Sequence, residues 1–145
     1  MRRLRVLVVR AGGRPFALDV SVVRGIERPR RWARLPWAPS YVRGVVQIGG
    51  AVVSVVDLAP RLGLAPEPLL SSQGVVLLES AEPVGLAVEG IEGLSEIDLE
   101  TLRDLGPRGL AAGARAMTPS GLVLLECEPL VDGRELESFA VLEGA

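Results

Sequence analysis

The chain has 145 residues, 48% of them hydrophobic and only 3% aromatic, and a formal net charge of −2. It contains no histidine, no lysine and one cysteine, so all sixteen basic residues are Arg. These absences exclude Ser-His-Asp and Cys-His nucleophilic chemistry, most zinc sites, an intramolecular disulfide, Schiff-base chemistry and a P-loop lysine, while leaving a carboxylate-based enzyme open.

The length suits one domain, or two small subdomains around a common core. So aliphatic a composition favours β-branched strands. The start, Met1-Arg2-Arg3-Leu4-Arg5, is basic, and the apolar run Val6–Val9 follows it. That run is too short for a signal-peptide core. No apolar stretch approaches the ~18 residues of a membrane span. The expectation is a first strand at Leu4–Val9 in a cytoplasmic protein without membrane insertion. Further strands are predicted at Pro15–Leu18 and Gly25–Arg28. Next comes an arginine-rich stretch, Arg24, Arg28, Arg30, Arg31 and Arg34, around Trp32.

The stretch Tyr41–Leu64 carries the most information. Two apolar runs, Val45–Ile48 and Ala51–Val56, are joined by Gly49-Gly50, which supplies the positive φ angles of a tight hairpin. Asp57 can cap a short helical turn, Pro60 fits early in it, and Gly63 can stop it. A linker rich in punctuating residues runs over 65–73. Five more strands are predicted at Gly74–Leu78, Val84–Val88, Gly93–Ile97, Arg115–Thr118 and Leu122–Glu126, the last two turning at Pro119-Ser120-Gly121. Between them, Asp98–Leu105 is predicted as a helix with Leu99, Leu102 and Leu105 on one face, broken by Gly106-Pro107. Cys127, at a strand end, reads as a buried, inert thiol.

The chain repeats itself. Phe16–Val20, Val23-Arg24-Gly25-Ile26, the hairpin Val45–Val56 and the turn Asp57–Leu62 find counterparts in Val84–Val88, Gly90-Ile91-Glu92-Gly93-Leu94, the hairpin Arg115–Glu126 and Glu128–Val131. A repeated supersecondary unit implies two similar subdomains. Charge divides along the same boundary. Residues 1–62 hold twelve Arg and three acids, net +9, and residues 63–145 hold four Arg and fifteen acids, net −11. Lobes of opposite sign could pair internally, grip a nucleic acid through the Arg24–Arg34 stretch, or dock against another protein. The acidic run Glu89, Glu92, Glu96, Asp98, Glu100, Asp104 matches no calcium-loop spacing and reads as a solvated face.

The tract Tyr41–Leu64 resembles the signature of CheW-like domains, close to "[YF][VIL][RK]GVxNLRGxxxPVVDLxxRLGL". Phe16-Ala17-Leu18-Asp19-Val20 with Val22–Ile26 resembles that family's "Y/F-A-L-x-V…V-x-E-I", and Val84–Val88 its "VGLxVD" strand. The resemblance implies an all-β fold with one or two short helices: two SH3-like five-stranded β-barrel subdomains sharing a hydrophobic core. The subdomains are expected over about 1–64 and about 74–145. It implies a non-enzymatic signalling adaptor with no catalytic residue, cofactor or metal. Its partners would be the regulatory domain of a CheA-type histidine kinase and the cytoplasmic tip of a chemoreceptor, with ring-forming contacts to the kinase or to itself and no nucleic acid. Val23, Ile26, Val42, Arg43, Val45 and Ile48 are the expected partner-binding residues. Two departures stand out: Gly25 replaces the Glu of "VxEI", and Gly49 replaces the Arg of "NLRG". They mark a divergent adaptor, as for a non-flagellar system such as pilus-driven motility. The alternative from another class is a nucleic-acid-binding small β-barrel.

Overall fold

A computed structural model describes residues 2–28, 33, 39–65, 74–80, 82–105 and 113–131. Eleven strands are described: β1 (Arg3–Ala11), β2 (Arg14–Asp19), β3 (Val23–Glu27), β4 (Val42–Ile48), β5 (Ala51–Asp57), β6 (Gly74–Leu78), β7 (Val84–Val88), β8 (Gly90–Asp98), β9 (Arg103–Asp104), β10 (Ala114–Met117) and β11 (Val123–Leu125). Single helical turns, α1 (Leu58–Arg61) and α2 (Cys127–Leu130), follow β5 and β11. All ten predicted strands are present, most within one to three residues of their expected ends. Gly49 and Gly50 adopt φ +57° and +81° between β4 and β5, as the tight hairpin requires.

The strands form two sheets, in the orders β8-β1-β2-β11-β10-β9 and β3-β6-β7-β5-β4. They are the two SH3-like barrel subdomains expected, and they share a plan. In one, the hairpin β1–β2 carries β8 on its first strand and joins β11 in parallel on its second. In the other, the hairpin β6–β7 carries β3 and joins β5 in parallel. The match holds residue by residue. The row Leu94, Leu7, Leu18, Leu125 across the first sheet corresponds to Ile26, Val76, Leu86, Val56 across the second.

Those rows explain the core. Leu7, Leu18, Leu125, Val76, Leu86 and Val56 all belong to one buried cluster drawn from both sheets. The alternate faces point elsewhere: Val6, Ala17, Ile97 and Leu124 fill one barrel, and Val46, Val53, Val55 and Val75 fill the other. Strands buried on both faces read as continuous aliphatic runs, as Val6–Val9 and Val75–Leu78 do. The shared core is thus a third apolar layer between two barrels.

Two expectations are corrected. The division between sheets does not fall at residues 65–73. The second barrel is built from the consecutive strands β3 to β7, whereas the first takes β1 and β2 from the chain's start and β8 to β11 from its later part. Parallel pairing of β2 with β11 is the cause, since it holds the opening hairpin in the barrel of the later strands. Accordingly the +9/−11 division does not map onto lobes. Among the described residues, those within 23–88 hold four Arg and four acids, net 0, and the others seven Arg and nine acids, net −2. The acidic strand β8 lies directly against the basic strand β1, with Arg3–Glu96 at 3.3 Å and Arg10–Glu92 at 2.8 Å.

The second correction concerns Asp98–Leu105. Asp98 accepts from the Glu100 amide at 3.0 Å, but caps only a 3₁₀ turn at Leu99–Thr101. Leu102 is extended, and Arg103–Asp104 pair with β10 as β9. Leu102 packs into the interior of the first barrel and Leu105 against the shared core. One helical face cannot serve both cores, and extended chain can.

Candidate docking surface

The six residues expected to meet a partner all fall in the second barrel, on its two edge strands. Val23 and Ile26 lie on β3; Val42, Arg43, Val45 and Ile48 lie on β4. Ala33 lies beside β4: its amide and carbonyl exchange hydrogen bonds with Val45 at 2.9 and 2.7 Å.

Their exposure differs. Ile26 is 44% exposed, a large value for an aliphatic side chain at the end of a row whose other members are buried. Val23 and Val42 are half-buried against the shared core, and Ile48 against the second barrel's interior. Val45 is half-buried with its backbone engaged by Ala33. These four support the surface more than they line it. Arg43 is half-buried and its guanidinium meets Asp57 at 3.3 Å. Burial raises the Asp57 pKa above the ordinary 3.8, the Arg43 charge and hydrogen bond oppose that rise, and the Glu89 charge adds to it.

Glu89 joins the two barrels, standing between β7 of one and β8 of the other. Its carboxylate accepts the amides of Gly12 and Gly13, at 2.9 and 3.1 Å, in the β1–β2 turn. Arg10 closes the same turn by donating to the Gly13 carbonyl at 2.6 Å. The Gly12 backbone also abuts Leu64, just beyond α1, so closely that a Cβ there would sit 2.7 Å from that side chain. The acidic run read as a solvated face thus contains one carboxylate that ties the barrels together.

The departures from the family pattern differ physically. A Cβ at Gly25 would meet only Leu77 Cδ1, at 3.9 Å, and its φ lies outside the left-handed region. Nothing in the backbone demands glycine there. Gly49 also has open space around it, but its φ of +57° favours glycine.

Sequence reasoning missed Leu94. It is 64% exposed on β8, in the place that Ile26 occupies on β3. The signal was available in the repeat, because aligning Val23-Arg24-Gly25-Ile26 with Ile91-Glu92-Gly93-Leu94 puts Leu94 on Ile26. Elsewhere, Arg24 and Arg28 are exposed, while Arg30, Arg31, Trp32 and Arg34 lie outside the described residues. Among the described residues no cluster of acidic and cysteine side chains could hold a metal, and no helix is long and apolar enough to cross a membrane. The Cys127 thiol is half-buried, and burial, reinforced by the Asp19 charge, pushes its pKa up to about 11.

A pair of barrels of one plan, with exposed aliphatic side chains at equivalent edges, is the build of a protein that presents surfaces. Residues 5–135 match the CheW-like domain. The chain belongs to this family of chemotaxis coupling adaptors. It is 29% identical over 140 residues to the chemotaxis protein CheW of Rhizobium meliloti, covering 92% of this chain and 90% of that protein. It is 27% identical over 99 residues to the protein PilI of Pseudomonas aeruginosa, covering 68% of this chain and 56% of PilI. The scaffolding protein TtCheW of Thermoanaerobacter tengcongensis has the same fold, with a TM-score of 0.77 at 17% identity over 86% of this chain and 90% of that structure.

Proposed function

We propose that this chain couples chemoreceptors to a CheA-type histidine kinase by presenting surfaces, without chemistry of its own, in a chemotaxis or related motility system such as one driven by pili. The kinase's regulatory domain and the receptor's cytoplasmic tip are its partners, and ring-forming contacts with the kinase or with further copies belong to the same reading. The surface is the β3/β4 edge of the second barrel: Ile26 is its exposed apolar contact, Arg43 its polar one, and Val23, Val42, Val45 and Ile48 support them. Exposure of Ile26 beside an otherwise buried row is the observation that carries this assignment. Gly25 and Gly49 give it fewer charges than the family's usual surface, so the partner is expected to lean on apolar contact. Nothing observed favours the nucleic-acid reading.

The test is direct binding to the kinase regulatory domain and the receptor tip from the same cell. Fully burying an Ile side chain contributes roughly 2–3 kcal/mol, and the 44% still exposed leaves about 1 kcal/mol to be gained on docking. Ile26→Ala should therefore weaken binding about fivefold. Val52→Ala, at an exposed aliphatic outside the proposed surface, should leave affinity unchanged. Absence of binding by the unaltered protein, or equal loss from both variants, would defeat the proposal.

A further inference from the structure

Arg61 is the last residue of α1 in the second barrel, and it reaches the first. Its Nε donates to the Leu130 carbonyl at 3.0 Å and its Nη2 to the Pro129 carbonyl at 2.8 Å. Those carbonyls close α2, where a cation is favoured by the aligned peptide dipoles and can satisfy acceptors that no later helical amide meets. The same guanidinium lies 4.7 Å from the centre of the Tyr41 ring, within the range of a cation–π contact. Tyr41 immediately precedes β4, and its carbonyl accepts the Asp57 amide at 2.7 Å. One planar side chain therefore joins the entry to β4 with the final helical turn of the other barrel.

The tie is one-sided. In the repeat, Asp57 corresponds to Glu126 and α1 to α2, which sets Arg61 against Leu130, a residue 1% exposed that cannot return the contact. Leu130 is itself fixed: it seals the shared core, and a Cβ on Gly113 would come within 2.7 Å of it. α2 is thus an anchored post, and Tyr41 is the end of the tie that borders β4.

We infer that Arg61 is a positioning residue for the docking strand: it pins Tyr41, and through it Val42 and Arg43, to α2 of the opposite barrel. Lysine cannot substitute, because an ammonium on a flexible stem lacks the planar fork that stacks on the ring and donates from two nitrogens at once. The inference rests on β4 being the docking strand, so its test has one arm that needs no partner.

That arm is amide hydrogen exchange on the full chain. The Asp57 amide reports the entry to β4, and the Val131 amide, bonded to the Cys127 carbonyl at 3.1 Å, reports α2. Tyr41→Leu, which removes the ring on which Arg61 stacks, should speed exchange at both amides, by about tenfold. Arg61→Ala and Arg61→Lys should do the same. Faster exchange at Asp57 alone in Tyr41→Leu would overturn the tie, whatever happens to partner binding. In the second arm, Arg61→Ala should weaken binding to the kinase regulatory domain several-fold, with circular dichroism and thermal midpoint close to those of the unaltered protein. Equal affinity of Arg61→Ala and the unaltered protein would overturn the positioning role. Absence of binding by the unaltered protein would overturn the docking assignment itself and with it the positioning role, leaving the tie to be decided by exchange.

Discussion

Gly25 and Gly93 occupy the same place in the two barrels, and they should respond oppositely to one substitution. Gly25 pairs with Leu77 on β6 and Gly93 with Val8 on β1, each at an irregularity of an edge strand, and each one residue before the exposed aliphatic. Neither has a steric bar: a Cβ at Gly25 has a single neighbour at 3.9 Å, and one at Gly93 has none within 4 Å. The difference is the backbone, because Gly93 sits at φ +123° and Gly25 lies outside the left-handed region. Replacing a glycine where the conformation is compatible stabilises by about 0.4–1 kcal/mol, chiefly by narrowing the unfolded ensemble. Forcing a side chain into a glycine-only conformation costs about 1–3 kcal/mol. Gly25→Ala should therefore be neutral to slightly stabilising and Gly93→Ala destabilising, a separation of about 2–3 kcal/mol. Urea unfolding of the two variants, with equal m-values as the check on two-state behaviour, measures it. Equal destabilisation by both would refute the claim that Gly25 is free of any backbone requirement. Gly25→Glu then becomes informative, since it would restore the family's acid without a folding penalty and isolate that carboxylate's effect on partner affinity.

Two ionisable groups give further predictions. The Asp57 carboxyl should titrate above 3.8 in the folded protein, and higher still in Arg43→Ala, because Arg43 opposes the effect of burial. With the folded pKa raised, the native state binds more protons, so the contribution of Asp57 to stability falls as pH rises from below 3.8 through its folded pKa; carbon-detected NMR titration checks the order, and a lower value in Arg43→Ala would refute it. Cys127, raised from 9.0 to about 11, should have a thiolate population about a hundredfold below that of the unfolded chain at neutral pH. Its reaction with a chromogenic disulfide should be slower by that factor in native protein than in urea, and similar rates would contradict burial as the cause.

The strands were legible because aliphatic runs punctuated by glycine have few other solutions. Gly49-Gly50 specified its turn, and the Val23–Ile26 and Ile91–Leu94 pair its shared register; a helical turn does follow Asp57, but the Asp57 side chain makes no cap hydrogen bond and meets Arg43 instead. Pairing between distant segments was not legible. The hairpins β1–β2 and β6–β7 carry equivalent apolar rows, so either could complete either barrel on pattern alone. The antiparallel ladder of β1 with β8 and the parallel ladder of Phe16, Ala17 and Leu18 with Val123, Leu124 and Leu125 decide it, and nothing local announces contacts so distant along the chain. At Asp98 the cap was read rightly and its product wrongly, since one capping carboxylate serves a 3₁₀ turn as well as an α-helix. For the proposed docking residues, the family motif led to the edge strands, but the sequence could not separate exposed Ile26 from half-buried Val42 or Ile48. That separation depends on where a buried row ends.

The pairing also changes how charge can act in docking. A division of +9 and −11 along the chain suggested lobes that attract a partner as opposite poles. With β1 and β8 adjacent, Arg3 stands opposite Asp98 and Arg5 opposite Glu96, and such exposed pairs contribute about 0–1 kcal/mol each. With Arg10 meeting Glu92 as well, three arginines of the first half are offset by three acids of the second across one ladder, well inside the ~8 Å Debye length at physiological salt. What remains on β3 is local: Arg24 and Arg28 flank Ile26, whereas on β8 Glu92 and Glu96 flank Leu94 and already have Arg10 and Arg3 as partners. The two equivalent edges thus share their exposed aliphatic residue and differ in the sign of its neighbours, so under the proposed docking role discrimination between partners would rest on those flanking charges rather than on a molecular dipole.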